Sequence, residues 1–286
     1  MNNNKIIAVW GNPSSGKTTL SIKIARELSL GKKNVILVIC DTLCPSLMVV
    51  LPNINTENKS LGYLLSASEI TQEQILEKCI TLDKNKYVSL LGYSQGENIF
   101  SYAQYSKDRA VDFLILLRHL ADYVIVDCSS VFAYDTLSTI ALETADSVVR
   151  LCGSNLKAVS YFNSYLPLLA DRKFNVDRHI KVISKFIDNE PREQIKEIYR
   201  GVKYELPYIE EIENQFLTGR LFSELKSKNG IEYTKTVVSL IGTVLGENFE
   251  IKQKKKEVLT VQNKSKANKE SIFKKAFSFG RGGVKD

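Results

Sequence analysis

Histidine is nearly missing. His119 and His179 are lone residues beside apolar stretches, so neither is expected to be catalytic. Cysteine is scattered over Cys40, Cys44, Cys79, Cys128 and Cys152, with no CxxC pair. No signal-peptide pattern opens the chain, so a disulfide framework is not expected and a reducing, cytoplasmic setting is. Cys40 and Cys44 lie four apart with no histidine near them, and read as small packing residues rather than a metal site. No apolar run approaches the ~20 residues of a bilayer span, which excludes a membrane-crossing helix. Basic charge is also missing from most of the chain, although the net charge is +7. Residues 251–286 hold eleven Lys/Arg and three Asp/Glu, a net +8, so residues 1–250 sum to −1. The basic balance belongs to the tail, which argues against a nucleic-acid-binding face spread over the body.

What remains is a chain of 286 residues, 44% hydrophobic, able to bury a full core in one large or two small domains. Strand patterns are expected at 5–10, 34–41, 87–93, 122–130, 146–153 and 179–186, with a short one from 203. Helical patterns are expected at 18–29, 71–82 (capped by Thr71), 108–120, 136–145, 155–170, 192–200, after the turn at Pro207, and at 232–246. Loops carry Pro45 and Pro52, and a polar, aromatic-rich stretch fills 93–106. Strands alternating with helices imply a three-layer α/β architecture: a doubly wound, mostly parallel sheet with helices on both faces. Residues 1–250 are expected to form one such domain.

The stretch VWGNPSSGKTTL, residues 9–20, carries the chemistry. Gly11, four residues, then Gly16, Lys17 and Thr18 reproduce G-x-x-x-x-G-K-[ST]. A buried strand precedes it and an amphipathic helix with Leu20, Ile24 and Leu28 follows it. In that context the loop amides and the helix N-terminus face phosphate. Gly11, Asn12, Pro13, Ser14, Ser15, Gly16, Lys17, Thr18 and Thr19 are therefore the expected nucleotide-binding residues. Lys17 is assigned to the β- and γ-phosphates and Thr18 to Mg2+. Two aspartates end apolar strands, where ligands bind in open α/β sheets. Asp127 closes YVIVD and is expected to support Mg2+, often through water. Asp41 closes VICD, 24 residues after Lys17, and is expected to orient the attacking water or lie near the metal. For both, a capping or loop aspartate is the alternative.

These residues resemble the MinD/ParA group of phosphate-loop ATPases with deviant Walker motifs. The resemblance runs from residue 5 to about 247. It includes the loop, VICD, DYVIVD with the following TLSTIALETADSVVRL, and ELPYIEEIENQFLTGRLFSEL. It implies ATP and Mg2+ as cofactors, an ATP-closed homodimer, and Pro207 near the base. The motif is most similar to the TadZ/CpaE-like branch, which implies a role in placing pilus or secretion machinery through a protein partner not named by the sequence. Members of that branch often carry an N-terminal receiver-like domain; with the loop starting at residue 11, none is expected.

Two departures stand out. The family's loop begins with a lysine that reaches the partner's phosphates across the dimer, and Asn12 stands in its place. An uncharged, shorter side chain cannot give that charge-assisted contact. Hydrolysis is then slow or absent, or the positive charge comes from elsewhere. Pro13 and Ser14 also stiffen the loop relative to glycines. The second departure is Ser184, where relatives place an asparagine that reads the purine; serine offers one hydroxyl.

The tail reads as a polar, lysine-rich linker over 251–268, followed by ESIFKKAFSFGRGG. Ile272, Phe273, Ala276 and Phe277 share a helical face with Lys274 and Lys275 beside it, and glycines follow. A short basic amphipathic helix near 270–279 is a membrane-surface pattern, similar to the C-terminal targeting helix of MinD-like proteins. An anionic membrane surface is the expected partner and the inner face of the cell membrane the expected peripheral location; a solvated tail, a docking helix and a nucleic-acid arm are the alternatives. The competing functions are a plasmid- or chromosome-partition ATPase that binds DNA non-specifically, and a small-molecule kinase, for which no arginine-rich lid is evident.

Overall fold

Strand β1 (Lys5–Gly11) is buried from Ile6 onward, and its side chains enter two different cores. Ile7 and Val9 pack into one, Ile6, Ala8 and Trp10 into the other. A strand buried on both faces is the mark of the middle layer of three. The computed structural model describes residues 5–246 except 53, 84, 188 and 189. The linker expected at 251–268, the helix expected at 270–279 and the domain limit at 250 lie outside the described residues.

After β1 come α1 (Lys17–Leu30), β2 (Val35–Ile39), α2 (Leu47–Val50), α3 (Leu61–Ser66), α4 (Gln72–Lys78), β3 (Ile80–Leu82) and β4 (Asn85–Gly92). Then follow α5 (Lys107–Leu120), β5 (Tyr123–Asp127), α6 (Thr136–Thr144), β6 (Ser147–Gly153) and α7 (Leu156–Tyr165). The described chain closes with β7 (Ile180–Phe186), α8 (Arg192–Tyr199), β8 (Val202–Pro207), α9 (Glu210–Leu217) and α10 (Lys228–Leu245). The sheet order is β3-β4-β2-β5-β1-β6-β7-β8, parallel except for β3. Helices α1 and α10 cover one face through Leu20, Ile24, Leu28, Leu240 and Ile241. Helices α5, α6 and α7 cover the other through residues such as Phe113, Leu137 and Phe162.

The connection from β1 returns by way of α1 to β2, two places away, while β6 lies on the other side of β1. That reversal opens a crevice at the carboxyl ends of the central strands, where the loop after β1 emerges. Trp10, the penultimate residue of β1, is fully buried. Its ring lies edge-on to Phe132 at 5.4 Å and to Phe162 at 5.5 Å, which fixes the strand end from below.

Four expectations need correction. The helical pattern at 71–82 breaks: α4 keeps its Thr71–Gln74 capping box but ends at Lys78. Ile80, Thr81 and Leu82 instead pair antiparallel with β4, the sheet edge outweighing a local helical pattern. The 155–170 helix stops at Tyr165; Pro167 has no N–H to continue it, and Leu166–Leu169 form a 3-10 turn. The stretch 42–70 holds two short helices rather than loop alone, the second capped by Ser60, whose Oγ accepts from Gly62 N at 3.0 Å. Cys44 is exposed, unlike the other four cysteines, so the packing reading holds for Cys40 and not for Cys44.

Candidate nucleotide site

The loop from Gly11 to Gly16 leaves β1 and turns straight into α1. Gly11 has to be glycine for space: a Cβ there would collide with the Leu151 carbonyl of β6. Gly16 has to be glycine for conformation, at φ +85°. It stands at the N-cap of α1, gives no side-chain cap, and the first turn carries no acidic residue. The amides that begin α1 are thus left for an external anion, and nothing negative on the helix competes with it.

Lys17 and Thr18 follow at once and meet the end of β5. Thr18 Oγ1 donates to Asp127 Oδ2 at 2.5 Å. Lys17 Nζ donates to Ser130 Oγ at 2.5 Å, with the Asn12 carbonyl oxygen at 3.5 Å. Burial pushes the Lys17 ammonium below its ordinary value, and the charges of Asp127 and then Asp41 pull it back up. Burial likewise pushes Asp127 up to about 6, against the pull of Lys17 and the Thr18 hydroxyl. Asp127 Oδ1 is buried with no hydrogen-bond partner among the described residues. A carboxylate oxygen without a partner beside a threonine hydroxyl suits a hard, oxygen-seeking cation, so the residues present fit Mg2+.

Asn12 is turned inward. Its Oδ1 accepts from Gly153 N at 2.8 Å, and its Nδ2 donates to the Pro13 carbonyl at 2.9 Å. Both ends of the side chain are used on the protein itself. Ser14 adopts φ +63°, and Ser15 N donates to the Asn12 carbonyl at 3.2 Å, which closes the turn. Thr19 lies in the first turn of α1, partly exposed.

Asp41 sits just past β2, where its Oδ1 accepts from the amides of Leu43 and Cys44, each at 3.1 Å. It therefore caps the loop, and its charge still reaches Lys17 and Asp127. Pro207 ends β8 opposite Phe186, at the carboxyl edge of the sheet but two strands beyond β6. The structure thus brings together the loop, Lys17, Thr18 and Asp127. It places Asp41 nearby in a turn, and Pro207 along the same edge.

Two partners were not foreseen. Ser130 accepts from Lys17, and only its position just after Asp127 hints at it. Ser184 is buried, and its hydroxyl donates to the Ser15 carbonyl at 2.7 Å. The one hydroxyl of Ser184 is thus used on the loop rather than held free for a base. A clasp between residues 169 positions apart leaves no local trace in a sequence.

No protein-family model matches the chain, and no curated protein matches it. Solved structures do. A ParA family ATPase from Chlorobium tepidum TLS superposes with a TM-score of 0.69 at 17% identity, over 84% of this chain and 98% of that one. A putative plasmid partition protein from Borrelia burgdorferi B31, bound to AMPPNP, gives 0.64 at 19% identity, over 83% and 98%. The septum site-determining protein MinD of Pyrococcus horikoshii OT3, complexed with Mg-ADP, gives 0.61 at 15% identity, over 82% and 95%. The structural neighbours of this chain are ATPases of the ParA/MinD type, and the chain has their phosphate-loop fold: an open eight-stranded, mostly parallel sheet with helices on both faces.

Proposed function

We propose that this chain is an ATP-binding positioning or assembly ATPase of the MinD/ParA type. One observation carries the reading: Asp127, 109 residues away in sequence, meets the adjacent Lys17 and Thr18 at the uncapped start of α1. Residues 11–19 cradle the phosphates through backbone amides and Lys17. Thr18 and Asp127 hold Mg2+, which supplies positive charge at the phosphate oxygens. Asp41 orients water or supports the metal. Neighbours crystallised with AMPPNP and with Mg-ADP support this choice of ligands.

ATP closes a homodimer in this reading. The loops at the carboxyl edge of the sheet carry large apolar side chains turned to solvent. Leu43 after β2 is 68% exposed, Phe100 after β4 87%, Tyr134 after β5 89% and Leu156 after β6 80%. These four follow parallel strands that point the same way as β1, so they share the edge with the nucleotide loop. Apolar groups gathered on one functional edge support a face that a second copy covers. With Asn12 turned inward, the partner's phosphates receive no cation from that position, so hydrolysis is slow or absent. Two copies of the basic tail would then hold an anionic membrane surface by avidity. The resemblance of the loop to the TadZ/CpaE-like branch makes pilus or secretion machinery the proposed cargo. No helix among the described residues is long and apolar enough to cross a membrane.

The test combines light scattering, phosphate release and co-sedimentation with anionic vesicles, using the full chain with ADP, ATP or a slowly hydrolysed analogue. Dimers and vesicle binding in the ATP state alone are expected. Binding to DNA that persists without residues 251–286 would favour a partition ATPase instead, and phosphate transfer to a metabolite would favour a kinase.

A further inference from the structure

Strand β7 ends irregularly. Its pairing with β8 runs Ser184↔Leu206 and then Phe186↔Pro207, so the ladder skips Lys185. Lys185 adopts φ +56°, a left-handed conformation that long side chains seldom take. A bulge of this kind re-aims a side chain, and both of its neighbours hold it in place. Ser184 is clasped to the Ser15 carbonyl at 2.7 Å. Phe186 is buried, carries the Arg192 guanidinium 4.4 Å above its ring, and accepts from Tyr208 N at 2.8 Å through its carbonyl.

The re-aimed side chain runs over the phosphate loop. A Cβ placed on Gly16 would stand 3.4 Å from Lys185 Cδ and 3.6 Å from Lys185 Cγ. Lys185 is otherwise exposed and has no hydrogen bond or ion pair among the described residues. Three lysines of the body that are buried or partly buried are engaged: Lys17 with Ser130, Lys23 with Gln215, Lys181 with the Tyr199 and Arg200 carbonyls. Strain, a fixed bulge and an unpaired ammonium meet beside a loop whose first variable position holds an inward-turned asparagine. Strained backbone that its surroundings enforce gathers at ligand sites.

We propose, resting on the nucleotide reading of the loop, that Lys185 is a further nucleotide-binding residue. It supplies, within one subunit, a second ammonium to the ATP polyphosphate, laid across Gly16 from β7. This cation serves the nucleotide of its own subunit and does not replace the contact across the dimer that Asn12 lacks.

The test measures ATP affinity of the full chain by titration calorimetry at low and high salt, for the wild type, Lys185→Gln, Lys185→Arg, Lys185→Gly and Lys17→Ala. The expected result is about a tenfold loss for Lys185→Gln at low salt, the scale of one charge-assisted contact, with a shallower salt dependence and recovery in Lys185→Arg. Lys185→Gly should lose the same affinity while its nucleotide-free melting temperature rises, because glycine accepts φ +56° without strain. Unchanged affinity in Lys185→Gln would overturn the proposal. So would an equal loss at both salt concentrations, which would mean that the stem packs on the base instead. If the wild type does not bind ATP and Lys17→Ala changes nothing, the nucleotide reading of the loop fails, and this proposal with it.

Discussion

Asn12 and His179 are single residues whose surroundings set their effect. Asn12 satisfies the Gly153 amide, and an alanine there would leave that buried N–H without a partner. Asn12→Ala is expected to cost about 1–3 kcal/mol of nucleotide-free stability, read from the urea midpoint. An unchanged midpoint would show that water replaces the side chain. His179 is buried, and burial together with the nearby Arg150 charge pushes its imidazole down to about 4, against the hydrogen-bonded Phe174 carbonyl. Its folded value lies below the ordinary 6.5, so the unfolded chain binds more protons between the two. The stability due to neutral His179 is therefore fully present above pH 6.5 and is lost as pH falls from 6.5 through about 4. Buried Asp127 and Asp135, both raised to about 6, give the opposite slope as pH rises through that range, so only a comparison of variants isolates the histidine. His179→Gln is expected to lose less stability than the wild type between pH 7 and pH 4.5, by up to about 3 kcal/mol. Equal losses in both proteins would remove the buried imidazole as the cause.

Helix α1 is fixed at its middle as well as at its start. Its N-terminus carries the proposed nucleotide cradle, and farther along, Lys23 is buried against α9 and the segment that follows it. The Lys23 ammonium donates to Gln215 Oε1 and the Leu221 carbonyl, each at 2.6 Å, and to the Ser223 carbonyl at 3.1 Å. Burial lowers its pKa to about 8, so the three acceptors compensate for lost water. Lys23→Met would keep the stem and remove the donor, leaving two buried acceptors unpaired. A loss of about 1–3 kcal/mol is expected, with faster proteolytic cleavage between residues 216 and 226. Unaltered cleavage would mean that packing by Leu221 and Leu225 alone holds that segment. Elements also show where sequence patterns mislead. The 71–82 stretch reads as one helix, yet its last residues extend the sheet, because an unpaired edge of β4 offers them backbone partners that a local pattern does not reveal.

At the scale of the molecule, the carboxyl edge of the sheet carries the phosphate loop together with the exposed Leu43, Phe100, Tyr134 and Leu156. If a second copy covers that edge, Phe100→Ser combined with Leu156→Ser should abolish the ATP-dependent dimer seen by light scattering. ADP affinity should stay within about twofold, since neither residue touches the loop. A dimer that survives both changes would place the interface elsewhere. The sheet order gives the same edge its reach. Strand β7 lies two places from β1, so Ser184 and Lys185 arrive beside the loop although β8 and its Pro207 end farther out.

Local chemistry made much of this protein legible from the chain alone. Gly11, Gly16, Lys17 and Thr18 fall within one short stretch at a fixed spacing, and Asp127 announces itself as a charge ending an apolar strand. The alternation of strands and helices gave the layered parallel sheet, because a strand covered on both faces has to be apolar along its length. Tertiary structure alone decided what the loop's other residues do. Asn12 became a clasp because Gly153 ends the neighbouring strand; Ser184 became a second clasp because β7 reaches the same edge. Lys185 was aimed over Gly16 by a bulge. Each of these depends on which strands lie side by side, and strand order is set by the packing of the whole chain rather than by any residue's neighbours in sequence.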